Sequence, residues 1–291
     1  MLTRSIAAGD VASAAEMLRA HGHSGINRRG ASRRGVSAGP VDLAEACGGA
    51  VSAAETFDGA VEYYLIRRTL ADVAPQDVSV ASDYAAVMRG ARQQFDELEA
   101  SAALCHVSDC RPEDLLFMDI ETCGLGSAVV FLVGMMRFED EQLIFEQCFA
   151  RDYSQERSIL TAFAARYGQG RVLVTFNGKS FDMTMIRDRS AFWGVDLPPR
   201  ELPHLDLLHE IRRRWRKELP NCRLQTLERY FCGRRRVGDI PGSAIPDAYH
   251  RYVATGDARQ VADILHHNLL DLLTMAQLVV AILTGCGPAA E

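Results

Sequence analysis

The sequence predicts an α/β protein with a mixed sheet, in which an antiparallel meander precedes parallel strands and helices flank the sheet. Three apolar runs between residues 115 and 149 have the length and the β-branched or aromatic content of consecutive strands. Strand-like and helical stretches then alternate between residues 154 and 217, and only helical periodicity remains from residue 224. Strands first, alternation next and helices last is the order expected of this fold class.

Length and composition exclude several classes of protein. The 291 residues, 48% hydrophobic and 24% charged, are typical of one large or two smaller soluble domains. The formal charge of −6 does not indicate a surface that binds nucleic acid as a whole, although a local basic patch is compatible with it. The 8 cysteines form no C-x-x-C pair, so the pattern favours neither a zinc ribbon nor a secreted disulfide framework.

The chain shows no signal peptide, because residues 1–18 lack a continuous apolar segment. The most apolar stretches, 128–136 and 269–283, are shorter than the ~20 residues of a membrane span. We therefore expect a cytoplasmic protein.

Residues 1–112 are predicted to be an N-terminal helical or irregular region. Residues 5–20 have the pattern of a short amphipathic helix, and residues 22–40, rich in Gly, Ser and Arg, are predicted to be a flexible loop. A strand is expected around Val61–Ile66 and a helix over residues 83–103. These pieces either pack on the edge of the main sheet or form a small separate unit.

The main domain is predicted over residues 113–285. Apolar runs predict its strands and 3.6-residue periodicity predicts its helices. The predicted strands are 115–119, 129–138, 142–149 and 171–176, and the predicted helices are 154–167, 181–193, 208–217, 224–232, 245–255 and 257–283. Residues 204–207 form a short segment with apolar neighbours. Residues 139–141 are acidic and suit a turn between two strands, and Ser154 suits the N-cap of the first of these helices.

The first candidate site lies where a buried strand ends. Leu115–Met118 is apolar and leads into Asp119-Ile120-Glu121. Strand alternation places the side chains of Asp119 and Glu121 on one face. Adjacent carboxylates repel each other unless a cation lies between them, and paired hard oxygen ligands suit Mg²⁺ or Mn²⁺. The alternative is two solvated acids at a strand end.

Two further acids follow. Asp182 lies in the segment NGKSFDMTMI, residues 177–186, where Ser180 is a candidate helix cap. An acid in the first turn of a helix also suits the helix dipole, without any further function. Asp271 stands among leucines of the last predicted helix. A lone carboxylate there is costly to bury unless it is paired or bound to a metal.

Together these three segments resemble the motifs of the DEDD superfamily of 3′→5′ exonucleases, which have the ribonuclease-H-like fold. The D-x-E motif is present as Asp119-Ile120-Glu121, and the N-G-x-x-F-D motif as Asn177 to Asp182. The third motif, an Asp preceded by a His or Tyr, is present as Asp271 with His266 and His267. MDIETCGL, FNGKSFD and HNLLDLL are similar to the YprB-like group in particular. The resemblance covers residues 113–284, and Cys123 replaces the Thr common in D-x-E-T-T-G-L.

The resemblance implies a metal-dependent 3′→5′ exonuclease that cuts single-stranded DNA or RNA with two divalent cations, Mg²⁺ or Mn²⁺, ~3.5–4 Å apart. It implies that Asp119 bridges both ions, that Glu121 and Asp271 complete one site, and that Asp182 serves the other. A histidine would deprotonate the attacking water. The implied substrate-binding residues are Thr122, Leu125, Asn177 and Phe181.

Two histidines are candidates for that base. His266 has the H-x₄-D spacing of one subgroup, and His267 has the x₃ spacing of the subgroup that uses tyrosine. At about 100° per residue, His267 lies about 40° from Asp271 around a continuous helix, whereas His266 lies about 140° away. His266 would serve only if the helix broke before it. We expect His267 to be the base and keep His266 as the alternative.

Two basic segments lie between the motifs, residues 212–217 (RRRWRK) and 234–236 (RRR). They are interpreted either as a phosphate-tracking groove with an aromatic side chain or as a solvated helix face. His204 and Asp206 are expected to lie near a strand end as supporting groups.

Parts of the sequence are also compatible with two other functions, a dinucleotide-binding site and a non-catalytic module. Gly124-x-Gly126 follows a strand but lacks the third glycine, and another strand follows it, which argues against a dinucleotide site. The main alternative is a non-catalytic nucleic-acid-binding or adaptor module on the same fold. Clustered acids count against it, because they repel an anionic polymer. The sequence leaves open DNA or RNA, exonuclease or endonuclease mode, the pathway and the oligomeric state.

Overall fold

The computed structural model describes most of the chain from residue 39 onward. The described residues are 39–56, 59–94, 100–124, 126, 128–199 and 201–289, and the side chains of 91–94 are left out of this description. The helix predicted at 5–20 and nearly all of the loop predicted at 22–40 lie outside these ranges.

A seven-stranded mixed sheet forms the centre of the described chain, in the order β1-β2-β5-β4-β3-β6-β7. The strands are β1 (Ala50–Thr56), β2 (Gly59–Thr69), β3 (Leu115–Thr122), β4 (Val130–Glu139), β5 (Gln142–Phe149), β6 (Val172–Thr175) and β7 (His204–Asp206). β3, β4 and β5 pair as an antiparallel meander, and β3–β6 and β6–β7 are parallel pairs. The predicted fold class is therefore confirmed.

Helices cover both faces of the sheet. They are α1 (Leu43–Cys47), α2 (Leu70–Val73), α3 (Ser79–Gln94), α4 (Ala102–Cys105), α5 (Glu156–Tyr167), α6 (Asp182–Trp193), α7 (Leu207–Trp215), α8 (Leu224–Cys232), α9 (Ile245–Thr255) and α10 (Arg259–Thr284). One core layer contains α3, α7, α8 and the C-terminal two-thirds of α10, and the other contains α5, α6, α9 and the start of α10. β3 alternates between them, because Leu115 and Phe117 belong to the first layer while Leu116, Met118 and Ile120 belong to the second.

The N-terminal pieces resolve one open alternative, because they pack on the edge of the main sheet. β2 pairs with β5 over six positions, from Tyr64 opposite Phe149 to Thr69 opposite Ile144. The sheet therefore continues across the predicted boundary between residues 112 and 113. The helix predicted over residues 83–103 is α3, which begins at Ser79, with the short α4 starting after the capping residue Ser101.

Two predicted helix caps are wrong. Ser154 does not cap α5, because Asp152 accepts a hydrogen bond from the Ser154 backbone N–H at 2.8 Å and starts a short 3₁₀ turn instead. Ser180 does not cap α6 either, since that helix begins at Asp182 without a side-chain cap. Short polar side chains near a helix start compete for the same donors, and spacing alone does not decide between them.

The last helix, α10, has the length and composition of a membrane span. Of its most apolar window, however, 89% is buried inside the molecule. It packs against β3, β4 and five other helices, so it is a core helix in this fold.

A fully buried carboxylate ties the second core layer to the start of β4. Glu156 is 0% exposed and accepts hydrogen bonds from the Val130 backbone N–H at 2.8 Å, Arg189 Nε at 2.8 Å and Trp193 Nε1 at 2.7 Å. This single side chain therefore joins α5, α6 and β4.

We expect Glu156→Ala to destabilise the fold strongly. Removing one partner of a buried ion pair costs about 3–5 kcal/mol, because the remaining charge stays buried. The free energy of unfolding, measured by urea denaturation, tests this. The matched control is Glu139→Ala, whose exposed pair with Arg67 contributes about 1 kcal/mol or less. Equal losses in the two variants would contradict the assignment.

Candidate functional site

The first acid pair faces α10. Asp119 and Glu121 lie on the same side of β3 as Phe117, which packs into the layer that contains most of α10. Both carboxylates are half-buried. Asp271 projects from α10 toward the same side, because its charge acts on both Asp119 and Glu121.

Asn268 holds α10 against the sheet at this point. A cross-strand row runs from Asp119 through Gly134 to Gln147, and Asn268 lies over its middle. Its Nδ2 donates to Asp119 Oδ2 at 2.9 Å, and its Oδ1 accepts from Gln147 Nε2 at 2.9 Å. A Cβ on Gly134 would lie 2.0 Å from Asn268 Oδ1, so only glycine permits this approach. Asn268 was not among the predicted site residues, although an amide among leucines three residues before Asp271 was a visible signal.

The second acid segment arrives at the same end of β3 through the parallel strand β6. Asp206, at the end of β7, accepts hydrogen bonds from the backbone N–H groups of Asn177 at 2.9 Å and Lys179 at 3.1 Å. This supporting role matches the expectation for Asp206. Beyond the turn, Asp182 is buried and its Oδ1 accepts from the Ile120 backbone N–H at 3.3 Å. The turn thus places Asp182 beside the first acid pair.

The structure therefore brings the four predicted carboxylates together, and burial, with repulsion between the acids, raises the pKa values of Asp119, Glu121 and Asp182. Burial, reinforced by the charges of Asp271, Asp182 and Glu121, holds the pKa of Asp119 well above its usual range. Burial raises the pKa of Glu121 to about 8, and neighbouring acids add to that shift while His267 opposes it. Burial also raises the pKa of Asp182 to about 7. Buried like charges of this kind favour protons or cations.

His267 completes the cluster. α10 is continuous from Arg259 to Thr284, so the helix break that His266 would need is absent there. His267 is 8% exposed, with Nδ1 at 2.9 Å from Asp239 Oδ2 and Nε2 at 3.6 Å from Asp271 Oδ2. Burial lowers its pKa, but the hydrogen bond to Asp239 and the nearby carboxylates outweigh that effect and raise the pKa above its usual value.

Arg236 and Asp239 are site residues that the sequence analysis missed. Arg236 donates to Glu228 Oε2 at 2.6 Å, to Asp239 Oδ2 at 3.2 Å and to Asp271 Oδ1. It therefore links the acid cluster to the carboxylate that orients His267. The D-I-P-G loop at 239–242 carried no recognisable motif, so the sequence held no signal for this contact.

Neither interpretation of the basic segments is correct as a whole. Arg234 and Arg236 are buried and paired with carboxylates, so they are not a surface for phosphate. In residues 212–217, Trp215 is buried and its ring packs 5.0 Å from that of Phe231. A core aromatic is not available to stack on a base.

The predicted substrate-binding residues have different surroundings. Thr122 is buried and donates its hydroxyl hydrogen bond to Gly124 O at 2.6 Å, whereas Asn177 is exposed. Phe181 is half-buried against the second core layer. Leu125 lies outside the described residues. His204 lies 2.8 Å from Thr175 Oγ1, and burial lowers its pKa to about 4.

The donor set fits divalent cations in chemistry and charge. Its hard carboxylate oxygens are the ligands that Mg²⁺ and Mn²⁺ prefer. Burial raises the pKa values of Glu121 and Asp182, and the neighbouring acids add to the shift, so a bound cation would offset a real cost. Within the described residues, however, no three acidic, His or Cys side chains already stand close enough to hold an ion. Asp271 contacts Arg236 instead, so an ion that uses Asp271 competes with a guanidinium.

Comparison with known proteins agrees with this geometry. A family model described as RNase H superfamily matches residues 116–283, which is more than half of the chain and includes all four carboxylates. The chain belongs to the RNase H superfamily. RNase H-like nucleases commonly use divalent metal ions and act on nucleic acid.

Two individual proteins are similar to this RNase H superfamily chain. The uncharacterized protein YprB of Bacillus subtilis (strain 168) is 31% identical over 171 residues, which are 57% of this chain and 41% of that protein. The chain thus spans less than half of the relative. The family B DNA polymerase of the hyperthermophilic archaeon Pyrobaculum calidifontis is 17% identical, with a TM-score of 0.47, over 57% of this chain and 24% of the polymerase.

We expect the metal-free protein to lose stability as the pH rises from about 4 to about 8. Carboxyl groups in an unfolded chain ionise near pH 4, whereas the folded protein holds protons on Asp182 and Glu121 up to pKa values of about 7 and 8. Because the folded state binds more protons in this window, the stabilising protonation is lost through those pKa values. Melting temperatures in EDTA measure the effect.

Two substitutions test whether the acid cluster causes this pH dependence. Asp119→Asn should flatten the pH dependence, because it removes one of the repelling charges. Asp188→Asn, at an exposed position of α6, should leave it unchanged. A melting temperature that rises with pH, or the same slope in all three proteins, would show that the cluster is not under repulsion.

Proposed function

We propose that this protein is a metal-dependent nuclease that hydrolyses phosphodiester bonds of single-stranded nucleic acid as a 3′→5′ exonuclease. The observation that carries the proposal is the convergence of Asp119, Glu121, Asp182, Asp271 and His267, from three separate chain segments, at one end of β3. Acid repulsion at this point serves no purpose in the fold.

A non-catalytic nucleic-acid-binding or adaptor module fits these residues less well. Such a module gains affinity from positive charge facing the phosphates. Here the site is acidic, and burial together with the neighbouring acids raises the pKa of Glu121 to about 8. Without a cation it would repel the polymer.

In the proposed enzyme, Asp119, Glu121, Asp182 and Asp271 would hold one or two Mg²⁺ or Mn²⁺ ions. Bound there, such ions would stabilise negative charge on the phosphate in the transition state and make water a better nucleophile. The hydrogen bonds from Asn268 to Asp119 and from the Ile120 N–H to Asp182 hold two of these carboxylates in place. Fixed ligands reduce the reorganisation that binding requires.

His267 is the proposed general base. If its Nδ1–H donates to Asp239 Oδ2, then Nε2 carries the lone pair. Nε2 lies 3.6 Å from Asp271 Oδ2, at the acid cluster. An imidazole oriented in this way can take a proton from the attacking water, at a pKa suited to neutral pH. Thr122, Asn177 and Phe181, with Leu125, are proposed to contact the terminal nucleotides.

We expect Asp119→Asn to abolish hydrolysis of end-labelled single-stranded DNA and RNA in Mg²⁺ or Mn²⁺. The substitution removes a charged ligand but keeps the shape of the side chain, so the fold should persist with an unchanged or higher melting temperature in EDTA. Asp188→Asn is the matched control and should keep full activity. Activity of the Asp119→Asn protein, or of the wild type in excess EDTA, would refute the metal-dependent assignment.

We expect His267→Ala to lose activity by about 10²–10⁴-fold, the usual contribution of a general base. Affinity for Mn²⁺, measured by calorimetry, should change little because the acids remain. Raising the pH should partly restore turnover by supplying hydroxide. His266→Ala should be mild, and Asp239→Asn should fall between wild type and His267→Ala because the imidazole remains but loses its orientation.

The opposite result for the two histidines would assign the role of general base to His266. If His266→Ala stops turnover and His267→Ala does not, while both proteins bind Mn²⁺ normally, His266 is the base and α10 opens before it in the active enzyme.

A further inference from the structure

A basic cavity adjoins the acid cluster. It has a volume of about 410 Å³ and lies between α8 and the loop that follows it. Its charged lining residues are Glu228, Arg229, Arg234, Arg235, Arg236 and Asp239. Four arginines face two carboxylates there, in a chain whose formal charge is −6. The lining thus holds more cationic than anionic side chains, although Arg234 and Arg236 also pair with Asp77 and Asp271 outside it.

The cavity and the acid cluster share a wall. Arg236 lines the cavity and contacts Asp271, and Asp239 lines it and lies 2.9 Å from His267 Nδ1. A group inside the cavity is thus separated from the acid cluster by a single layer of side chains.

The two carboxylates of the lining are already neutralised. Arg234 NH1 lies 2.9 Å from Glu228 Oε1, and Arg236 contacts both Glu228 and Asp239. These buried pairs also fix the loop of residues 233–241 against α8 and α10. Among the arginines of the lining, Arg235 is exposed and is not part of these pairs.

Arg235 lines the cavity and is exposed to solvent. It forms no ion pair with any residue in the part of the chain that the structure describes. Arg229 lies with its guanidinium carbon 5.7 Å from the centre of the Tyr230 ring, beside the same opening. Guanidinium groups held on a rigid frame suit phosphate, because they offer two parallel N–H donors to its oxygens.

We propose that this cavity binds a backbone phosphate of the nucleic-acid strand, one or more nucleotides away from the phosphate at the acid cluster, through Arg235. The proposal rests on the proposed nuclease function and adds to it a substrate subsite. It gives the strand an attractive contact next to carboxylates that repel it. The loop of residues 233–241 then serves both sites, since Arg236 and Asp239 face the acids while Arg235 faces the strand.

The first test measures binding, separately from hydrolysis. Fluorescence anisotropy of a labelled single-stranded 12-mer in EDTA, across a range of KCl concentrations, gives the dependence of log K on log[salt]. Losing one phosphate contact should reduce the magnitude of this slope by about 0.7 for a single strand. Arg235→Gln should show that reduction and bind several-fold more weakly.

The matched control is Arg89→Gln. Arg89 is also exposed and pairs with Glu141 in the β4–β5 turn, at the opposite end of the sheet from the acids. The Arg89→Gln substitution removes the same charge as Arg235→Gln. Because Arg89 lies far from the cavity, the substitution should leave the slope and the affinity at the wild-type values. Melting temperatures of both variants should match the wild type.

The second test compares substrates of two lengths in Mg²⁺ or Mn²⁺. A dinucleotide has one internucleotide phosphate, which the acid cluster would take, so Arg235→Gln should cleave it as fast as the wild type. On the 12-mer the variant should have a several-fold higher KM with kcat little changed. A general structural defect would reduce cleavage of both substrates.

The outcomes separate the two proposals. Unchanged salt slope in Arg235→Gln, or an equal loss on both substrates, overturns the phosphate subsite even where the wild type is an active nuclease. A slope that falls equally in Arg89→Gln shows only a loss of total charge and also overturns it. A wild type that neither binds nor cleaves DNA or RNA overturns both proposals.

Discussion

Repulsion between carboxylates is the constraint around which this structure is arranged. Asp119, Glu121, Asp182 and Asp271 are held close enough that burial and mutual charge raise the pKa values of the first three. Such an arrangement opposes folding, so other parts of the molecule must impose it. The cross-strand row of Asp119, Gly134 and Gln147 does so, because Asn268 can only reach Asp119 where residue 134 has no side chain.

A second buried network supports the first from outside. Glu228 is 1% exposed and receives both Arg234 and Arg236, which tie α8 to Asp77 on one side and to Asp271 on the other. Breaking such a network leaves buried charges unpaired, so it tolerates few substitutions. It also determines where Asp239 stands, and through Asp239 the orientation of His267. The position of His267, the proposed base, therefore depends on an ion-pair network contributed by a loop and α8.

Regular periodicity carried most of what the sequence could predict. Strand alternation placed Asp119 and Glu121 on one face, and helical phase placed His267 near Asp271, because both follow from local backbone geometry. The functional partners that were missed, Asn268 and Asp239, meet their targets only through tertiary packing. Trp215 was misread for the same reason, since a basic run on one face of a helix says nothing about what packs on the other.

The contact between Arg236 and Asp271 links the acid cluster to the ion-pair network around Glu228. In the absence of a divalent ion, a guanidinium at Asp271 offsets part of the negative charge that would otherwise accumulate at the end of β3. A cation that uses Asp271 must compete with that contact, and Arg236 would keep Glu228 and Asp239 as partners if it yielded. Asp239 also contacts His267, the proposed base. Arg236 therefore contacts both an acid that could bind the ion and the acid that orients His267. The fold thus couples charge neutralisation at the carboxylates to the geometry of His267, the proposed proton acceptor.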